Sequence, residues 1–316
     1  MDGIPHHGLP HSSGRPVPLE RSGISVQSLL EWIVDCQADP ARGTAYLGDT
    51  PAGVRDELAG LDQDWTQTVR VVTEQGQPVA ACAVEWDEEP AAAWIQGPWG
   101  APEAVEAWGE ALVRAMVEQL PPEVTRLELC GELGNTAMAE LAERMGWTPT
   151  AANHAMVLPV KIAREVSRRD PGGVDAPKAV TVRDATSRDV ALLAELHESE
   201  FPDAYATPGQ LLSRHLPVVA LQGDALVGYA AGQVQDDGQA YIDFTAVVPE
   251  ARRQGVGRAL IIALIGRLLE AADPSRLARV HLTVQEERAA ARGLYESLGF
   301  HTDASIRGYR GMWTVG

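Results

Sequence analysis

A run of arginine and glycine residues in the second half of the chain has the composition of an anion-binding turn. It consists of Arg252, Arg253, Gln254, Gly255, Val256, Gly257 and Arg258. A β-branched segment at 240–248 before it predicts a strand, and apolar residues at helical spacing after it predict a helix. The first N–H groups of a helix lack intrahelical partners, and glycines let a ligand approach them. The run therefore predicts a diphosphate site, with a glycine-rich turn and solvated arginines as the alternative.

The elements around this run occur twice in the chain. Each half has strand-like segments joined by a turn, then another strand, a helix, a further strand and a closing helix. The closing helices end at Gly146-Trp147 and Gly299-Phe300, which are 153 positions apart. Strands that alternate with helices predict an α/β (α+β) fold. We therefore expect two similar domains in tandem, each a mixed central β-sheet flanked by helices.

Two polar segments set the expected domain boundaries. Residues 1–22 are rich in Pro, Gly, Ser and His without periodicity, which predicts a disordered tail. Residues 164–178 combine a Pro-Gly-Gly core with clustered charges, which is typical of a linker. We therefore expect a first domain at 23–163 and a second at 179–316.

Composition and charge restrict the partners. The 316 residues carry a formal net charge of -18, and residues 1–160 hold 8 basic against 24 acidic side chains. Such a chain repels nucleic acid and anionic membranes, so a cationic small substrate is expected instead. No apolar run is long enough for a membrane helix. The three widely spaced cysteines form neither a disulfide framework nor a metal cluster, which favours a cytoplasmic protein without a metal.

The arginine-glycine run resembles a known family motif. Motif A of the GNAT superfamily of acyl-CoA-dependent N-acetyltransferases has Gln or Arg, two residues, Gly, one residue, and Gly or Ala. Here Arg252, Gly255 and Gly257 stand at those positions. The segment from Ala289 to Phe300 resembles motif B of the family. Together the motifs cover the core of the second half in the order and spacing of the family.

The resemblance implies acetyl-CoA as co-substrate and assigns residues to it. Thr245, Ala246 and Val247 would lie along the pantetheine and pair through their backbone. The segment from Arg253 to Gly257, with Arg252 and Arg258, would hold the diphosphate. Arg288 stands where the family often has Asn, so it would either alter a pantetheine contact or add a phosphate contact.

The resemblance also implies catalytic groups. Tyr295 matches the motif B tyrosine that commonly serves as the acid, with a half-buried packing tyrosine as the alternative. Asp243, in phase with Thr245 on the predicted strand, is the candidate base; an exposed strand carboxylate is the alternative. Some relatives have glutamates where this chain has Tyr241 and Thr283. A backbone N–H near Val247 would stabilise the oxyanion.

These residues predict an N-acetyltransferase with one active site in the C-terminal half, acting on a primary amine. The acceptor would be a small molecule or a peptide, and the protein a monomer or homodimer. A cluster of Glu198, Glu200 and Asp203 is expected either to receive a cationic acceptor or to be a solvated loop. The alternative function is a non-catalytic acyl-CoA sensor or an interaction protein of GNAT-like fold.

The first half is predicted to be a degenerate copy without cofactor. By the 153-residue offset, Ala142 stands in place of Tyr295. The helix corresponding to the one after the arginine-glycine run is expected to begin among Glu103, Glu106 and Glu110, whose carboxylates would repel a diphosphate.

Overall fold

The structure is a computed structural model that describes residues 14–45, 47–48, 50–168, 180–202, 204, 206–235 and 237–313. Residues 1–13 of the predicted tail, residues 169–178 of the predicted linker and Asp203 of the predicted acidic cluster lie outside these ranges.

Strands and helices alternate through both halves. The strands are β1 (Val17–Pro18), β2 (Arg70–Glu74), β3 (Gln77–Asp87), β4 (Ala92–Gly100), β5 (Arg126–Glu132), β6 (Thr148–Pro149), β7 (Asn153–Pro159), β8 (Val180–Asp184), β9 (Val218–Gln222), β10 (Ala225–Val234), β11 (Ala240–Val247), β12 (Arg279–Gln285) and β13 (His301–Met312). The helices are α1 (Leu19–Ser22), α2 (Val26–Gln37), α3 (Pro51–Ala59), α4 (Trp65–Thr68), α5 (Pro102–Val117), α6 (Thr136–Arg144), α7 (Val160–Ser167), α8 (Val190–Glu200), α9 (Pro208–Arg214), α10 (Val256–Ala271) and α11 (Ala289–Leu298). The mixed α/β fold class predicted from the sequence is confirmed.

The chain divides into two compact units. Unit 1 comprises Met1–Ala152 and Ser305–Gly316, and unit 2 comprises Asn153–Ala304. In unit 1 the strand order is β1-β2-β3-β4-β5-β13, with β6 on β13. In unit 2 it is β7-β12-β11-β10-β9-β8. The described strands of each unit include a parallel pair joined by a crossover helix: β4 and β5 joined by α5 in unit 1, and β11 and β12 joined by α10 in unit 2. The repeat read from the sequence is thus present as a repeated topology.

In each unit, one strand of the sheet comes from the other half of the chain. All seven residues of β7 pair with β12 in unit 2, although the sequence places 153–159 in the first domain. In unit 1, β13 pairs with β5 from Ile306 to Met312, although the sequence places these residues in the second domain. Unit 1 is therefore made of two separate segments of the chain, whereas unit 2 is one continuous segment that starts at Asn153 and ends at Ala304. An alternating apolar pattern predicts a strand and its buried face, but it does not specify the neighbouring strand.

Part of the predicted tail and linker is folded. Val17–Pro18 pairs with β2, and Leu19 is buried with Leu29 and Ile33 in unit 1. This ordered end of the predicted tail is too short for a periodic pattern to reveal. The predicted linker starts inside α7, where Ala163 and Val166 are fully buried. Ala163 and Val166 are only three residues apart, with Arg164 and Glu165 between them, so the sequence shows just one turn of helical spacing here.

A large apolar core positions the elements of unit 2. Helix α10 packs on β10 and β11 through its apolar face, and Leu260, Ile261, Leu264 and Ile265 are fully buried. This face anchors the start of α10 at the end of β11. None of the described helices is long and apolar enough to cross a membrane.

We predict that Tyr309→Ala destabilises unit 1, although Tyr309 follows unit 2 in the sequence. The ring is 7% exposed within the core of unit 1, and truncating a buried aromatic side chain costs about 3 kcal/mol or more. Hydrogen-exchange mass spectrometry should show faster exchange in β4 and β5, with exchange in β11 and β12 unchanged.

Phe300→Ala is the matched control for this prediction. Phe300 is 3% exposed in the core of unit 2, so its truncation should accelerate exchange in β11 and β12 instead. Faster exchange in unit 2 after Tyr309→Ala, with unit 1 unaffected, would contradict the division of the chain described above.

Candidate functional site

The two parallel strands of unit 2 separate part-way along their length. β11 pairs with β12 only from Ala240 to Ile242, opposite Val280 to Leu282. Beyond this point β12 remains paired with β7, and β11 remains paired with β10. The edge of β11 from Asp243 to Val247 therefore has no strand partner on the β12 side among the described residues. Its backbone groups are available to an extended ligand that binds as an added strand does.

A turn with two left-handed residues joins this edge to α10. Pro249–Ala251 forms a short 3-10 turn; Arg253 then has φ 64° and Gly255 has φ 83°. Gly255 is the N-cap of α10 and provides no side-chain cap, so the first N–H groups of this 16-residue helix are left for another acceptor. Successive N–H groups in such a turn form an anion-binding concavity, and the helix dipole favours negative charge there.

A cavity of about 550 Å³, called the larger cavity below, lies beside this turn. Its walls are β11, the turn, the start of α10 and the small-residue face of α11. They are formed by Thr245, Val247, Ala251, Arg252, Arg253, Gly255, Gly257, Arg258, Ala290, Ala291, Gly293, Leu294 and Tyr295. A Cβ on Gly293 would meet no atom within 4 Å. The helix therefore presents open space to a ligand at this position.

The three arginines of the run are not equivalent. Arg252 pairs with Glu200 at 2.6 Å and donates from Nε to the Val247 carbonyl at 2.8 Å. Arg258 donates to the Ser297 hydroxyl at 3.0 Å. Arg253 has an exposed side chain with no ion-pair partner in the part of the chain that the structure describes. In this conformation Arg252 connects the turn to the end of α8, whereas Arg253 is available to a phosphate.

The predicted cofactor residues do not all face the larger cavity. Ala246 is 4% exposed and packs in the apolar cluster on the other face of β11, as strand alternation requires. Val256 is 1% exposed in the core, and the Gln254 side chain donates to the Glu250 carbonyl at 2.7 Å. Any contact of Ala246 and Val256 with a ligand in this cavity would therefore come from their backbone, and the Gln254 side chain does not line the cavity in this conformation.

Tyr295 lines the larger cavity and a smaller one next to it. Its side chain is 7% exposed. The tyrosine is therefore buried, and the alternative was wrong in describing it as half-buried. Burial raises the pKa of the phenol, while the Thr245 hydroxyl and the Arg288 guanidinium lower it by smaller amounts. Among the described residues, the buried Thr245 hydroxyl lacks a hydrogen bond of ordinary length, although it lies near enough to affect this phenol. The phenol is therefore kept protonated as a proton donor.

The smaller cavity has a volume of about 230 Å³ and a largely polar lining. Its walls are Asn153, Phe201, Asp243, Thr245, Thr283, Val284, Gln285, Arg288, Ala291 and Tyr295. Arg288 lies here and does not line the larger cavity, so the structure places it away from the predicted phosphate contact. Asn153 was missed as a site residue because the sequence assigns it to the other domain.

Asp243 is held by two polar neighbours. Its side chain is 2% exposed, so the alternative of an exposed strand carboxylate is wrong. The Gln233 amide donates to its two oxygens at 3.3 Å, and His215 Nε2 lies 3.5 Å from Oδ2. His215 is itself 6% exposed and was missed, because it lies 28 positions earlier with no recognisable spacing. Both neighbours orient a buried carboxylate that faces the smaller cavity.

The two described members of the predicted acidic cluster have different surroundings. Glu200 is engaged by Arg252, and Glu198 is exposed at the end of α8. Its third member, Asp203, lies outside the described residues.

Comparisons with known proteins identify the family. The model of the Acetyltransferase (GNAT) family matches residues 189–300. The [Ribosomal protein bS18]-alanine N-acetyltransferase of Salmonella typhimurium (strain LT2) is 32% identical over 129 residues, 40% of this chain and 83% of that protein. The chain belongs to the GNAT family. The corresponding enzyme of Escherichia coli (strain K12) is 39% identical over 94 residues, 30% of this chain. That match spans 60% of the length of the Escherichia coli protein.

The fold of the whole chain also has a counterpart among solved GNAT structures. The GCN5-related N-acetyltransferase from Sphaerobacter thermophilus aligns with 96% of this chain and 95% of its own, with a TM-score of 0.56 and 20% identity. This similarity shows a shared fold. The strand parting, the turn before α10 and Tyr295 in unit 2 all lie within the segment matched by the GNAT family model.

Unit 1 has the same topology but a different helix start. The corresponding helix, α5, begins at Pro102, has Ala101 as N-cap and carries Glu103 in its first turn. Proline lacks an N–H, and a carboxylate at this position competes with any bound anion. The helix start of unit 1 is therefore poorly suited to a diphosphate.

We predict that the phenol of Tyr295 titrates above the ordinary tyrosine value of about 10, because burial disfavours the tyrosinate. Subtracting the ultraviolet pH titration of Tyr295→Phe from that of the unaltered protein isolates this phenol. In this difference titration, the midpoint of tyrosinate formation should lie above that pH. A midpoint at or below the ordinary value, with circular dichroism unchanged, would contradict the burial argument.

Proposed function

We propose that the protein is an N-acetyltransferase that transfers an acetyl group from acetyl-CoA to a primary amine. The single active site lies in unit 2. The observation that carries this proposal is the combination of a free strand edge, an anion-binding helix start and a buried phenol around one cavity. A GNAT-like fold without turnover would need the first two features only.

The larger cavity suits acetyl-CoA in shape and charge. The free edge of β11 at Thr245 and Val247 offers backbone partners to the pantetheine amides. The turn at Arg253 and Gly255, followed by the N–H groups of α10, suits the diphosphate. Arg258 adds a cationic donor, while Arg252 supports the turn through Glu200. The open face of α11 at Gly293 leaves room for the arm.

Acetyl-CoA supplies a thioester carbonyl as the electrophile. In the transfer a C–N bond forms and the C–S bond breaks. The ammonium nitrogen loses two protons, one before the attack and one from the tetrahedral adduct; the thiolate gains one, and one proton is released in the overall reaction. Tyr295 is placed to protonate the thiolate, because its phenol is buried and neutral where the two cavities meet. Asp243, oriented by Gln233 and His215, receives the proton of the amine. A backbone N–H near Val247 donates to the carbonyl oxygen.

The acceptor would bind in the smaller cavity, whose walls include Asp243 and Tyr295. The names of the relatives state that they acetylate an alanine of ribosomal protein bS18. A peptide terminus and a free small amine are therefore the acceptors to compare. We propose cytoplasmic localisation and a monomer or homodimer.

We predict that Gly293→Leu weakens acetyl-CoA binding by about tenfold or more, which corresponds to about 1.4 kcal/mol. A Cβ at this position meets no protein atom within 4 Å, and Gly293 lines the larger cavity, so the new side chain would occupy space in that cavity. Isothermal titration calorimetry measures the affinity. Gly266→Leu in α10 is the matched control, because a Cβ there also meets nothing within 4 Å and Gly266 does not line this cavity.

Equal acetyl-CoA affinity in Gly293→Leu and Gly266→Leu would contradict the assignment of the cavity. Absence of acetyl-CoA binding to the unaltered protein would favour an interaction protein. Binding without thiol release, across a panel of amines, amino acids and peptides, would favour an acyl-CoA sensor.

We predict that Tyr295→Phe lowers kcat by about 100-fold or more, since a positioned acid contributes about 100- to 10,000-fold. The affinity for acetyl-CoA should change little, because the ring remains and only the hydroxyl is lost. Thiol release at saturating substrate measures kcat, and calorimetry measures the affinity. Unaltered turnover would remove Tyr295 from the mechanism.

A further inference from the structure

We propose that the acceptor is a small free amino acid, whose carboxylate binds the guanidinium of Arg288 while its amine lies beside Asp243 and Tyr295. This inference rests on the proposed function, because it assigns the acceptor of the same site. It concerns the smaller cavity, which the proposed acetyl-CoA contacts leave open.

The smaller cavity is lined by one carboxylate and one guanidinium. Asp243 comes from β11 and Arg288 from the N-cap of α11. The phenol of Tyr295, the proposed proton donor, lines the same space. An amine without a second charge would satisfy only the Asp243 side and leave the guanidinium without an anion. A zwitterion satisfies both groups, since guanidinium binds carboxylate through paired N–H donors.

The guanidinium of Arg288, an exposed residue, lies over an aromatic ring and has no ion-pair partner among the described residues. Its central carbon lies 5.2 Å from the centroid of the Phe201 ring, within the range of a cation–π contact. No carboxylate in the described ranges forms an ion pair with it. Its backbone N–H donates to the Gln285 carbonyl at 3.0 Å, which fixes the residue at the start of α11. The charge is thus positioned over an aromatic face without an acidic partner.

The aromatic ring under Arg288 is packed against two other rings. Phe201 packs edge-on against Phe244 at 5.2 Å between ring centroids, and its centroid lies 5.6 Å from that of His197. His197 is 2% exposed and bonds through Nε2 to the Ala206 carbonyl at 2.9 Å. A platform packed in this way keeps the guanidinium in the cavity wall, which lowers the entropy lost when an anion binds.

The size of the cavity favours a small acceptor. Ligand pockets for drug-sized molecules hold about 300–1,000 Å³, and this one holds about 230 Å³. Asn153, Thr283 and Gln285 add side chains that hydrogen-bond to polar groups. A peptide N-terminus would also bring an amine. The carbonyl group of its first residue, however, belongs to a peptide bond and carries no charge. The uncompensated guanidinium therefore favours a free amino acid over a peptide.

Binding of amino acids to the protein saturated with CoA tests the proposal without requiring turnover. Pools of free amino acids are titrated calorimetrically against pools of the corresponding carboxamides, which keep the amine and side chain but lack the carboxylate. The free amino acids should bind about tenfold more tightly or better, which is about 1.4 kcal/mol for one charged contact. Resolving the pools then identifies the preferred side chain.

Variants of Arg288 assign this preference to one side chain. Arg288→Gln should abolish the preference for the carboxylate, and Arg288→Lys should retain part of it. Affinity for CoA should be unchanged in both. Arg292→Gln is the matched control, because Arg292 lies one turn further along α11, pairs with Glu296 at 3.7 Å and lines neither cavity. This control should leave the preference unaltered.

Three results of the binding experiments would overturn the proposal. They are equal binding of amino acids and carboxamides, no binding of any amino acid, and an Arg288→Gln effect on CoA affinity without an effect on amino acids. The proposed function is tested separately by thiol release from acetyl-CoA. Amino acid binding that depends on Arg288 but occurs without thiol release would defeat the proposed function and with it the role of the amino acid as acceptor, while the binding site would stand. Thiol release to amines that lack a carboxylate, unaffected by Arg288→Gln, would defeat this inference only.

Discussion

The parting of β11 from β12 after Ile242 creates the conditions for a site in unit 2. Both strands keep their outer neighbours, β10 and β7, so the sheet remains intact while one inner edge is left open. Buried backbone polar groups require hydrogen-bond partners, so this edge favours a ligand with amide groups. The residues beyond the parting are Asp243, Thr245 and Val247 on one face. Every group of the candidate site is arranged around this gap.

The same parting explains why the charged groups have different roles. The carboxyl end of β11 leads through the turn into α10, which places a helix start where a ligand leaves the strand edge. Arg252 is engaged by Val247 and Glu200 and so maintains the turn. Arg253, by contrast, projects without an ion-pair partner among the described residues. A motif arginine can therefore support the binding backbone without contacting an anion.

The sequence predicts local features well and long-range neighbours poorly. The strand before Pro249, the turn at Gly255, the helix beginning at Val256 and the mixed sheet could be predicted, because each depends on adjacent residues. The placement of β7 beside β12 and of β13 beside β5 could not be predicted, since an alternating pattern does not specify a partner strand. Asn153 was missed for this reason.

The neighbours of Asp243 were missed for a related reason. His215 and Gln233 reach this carboxylate only through strand register and packing. Arg288 was predicted as a binding residue from its position in motif B, but the cavity that it lines depends on the placement of Phe201 and β11. Residue types alone do not contain that information.

The two units show that this topology is not sufficient for a phosphate site. In unit 1 the parallel strands β4 and β5 also separate, after Ile95 and Leu129. A cavity of about 530 Å³ beside them is lined by Glu57, Glu85 and Glu128, and burial raises the pKa of the Glu85 carboxyl. At the start of α5, Pro102 removes one N–H group, and Glu103 brings a carboxylate where the α10 start has arginines. Unit 1 thus retains the gap but has fewer donors and an added negative charge, so the difference between the units lies in side chains and helix starts.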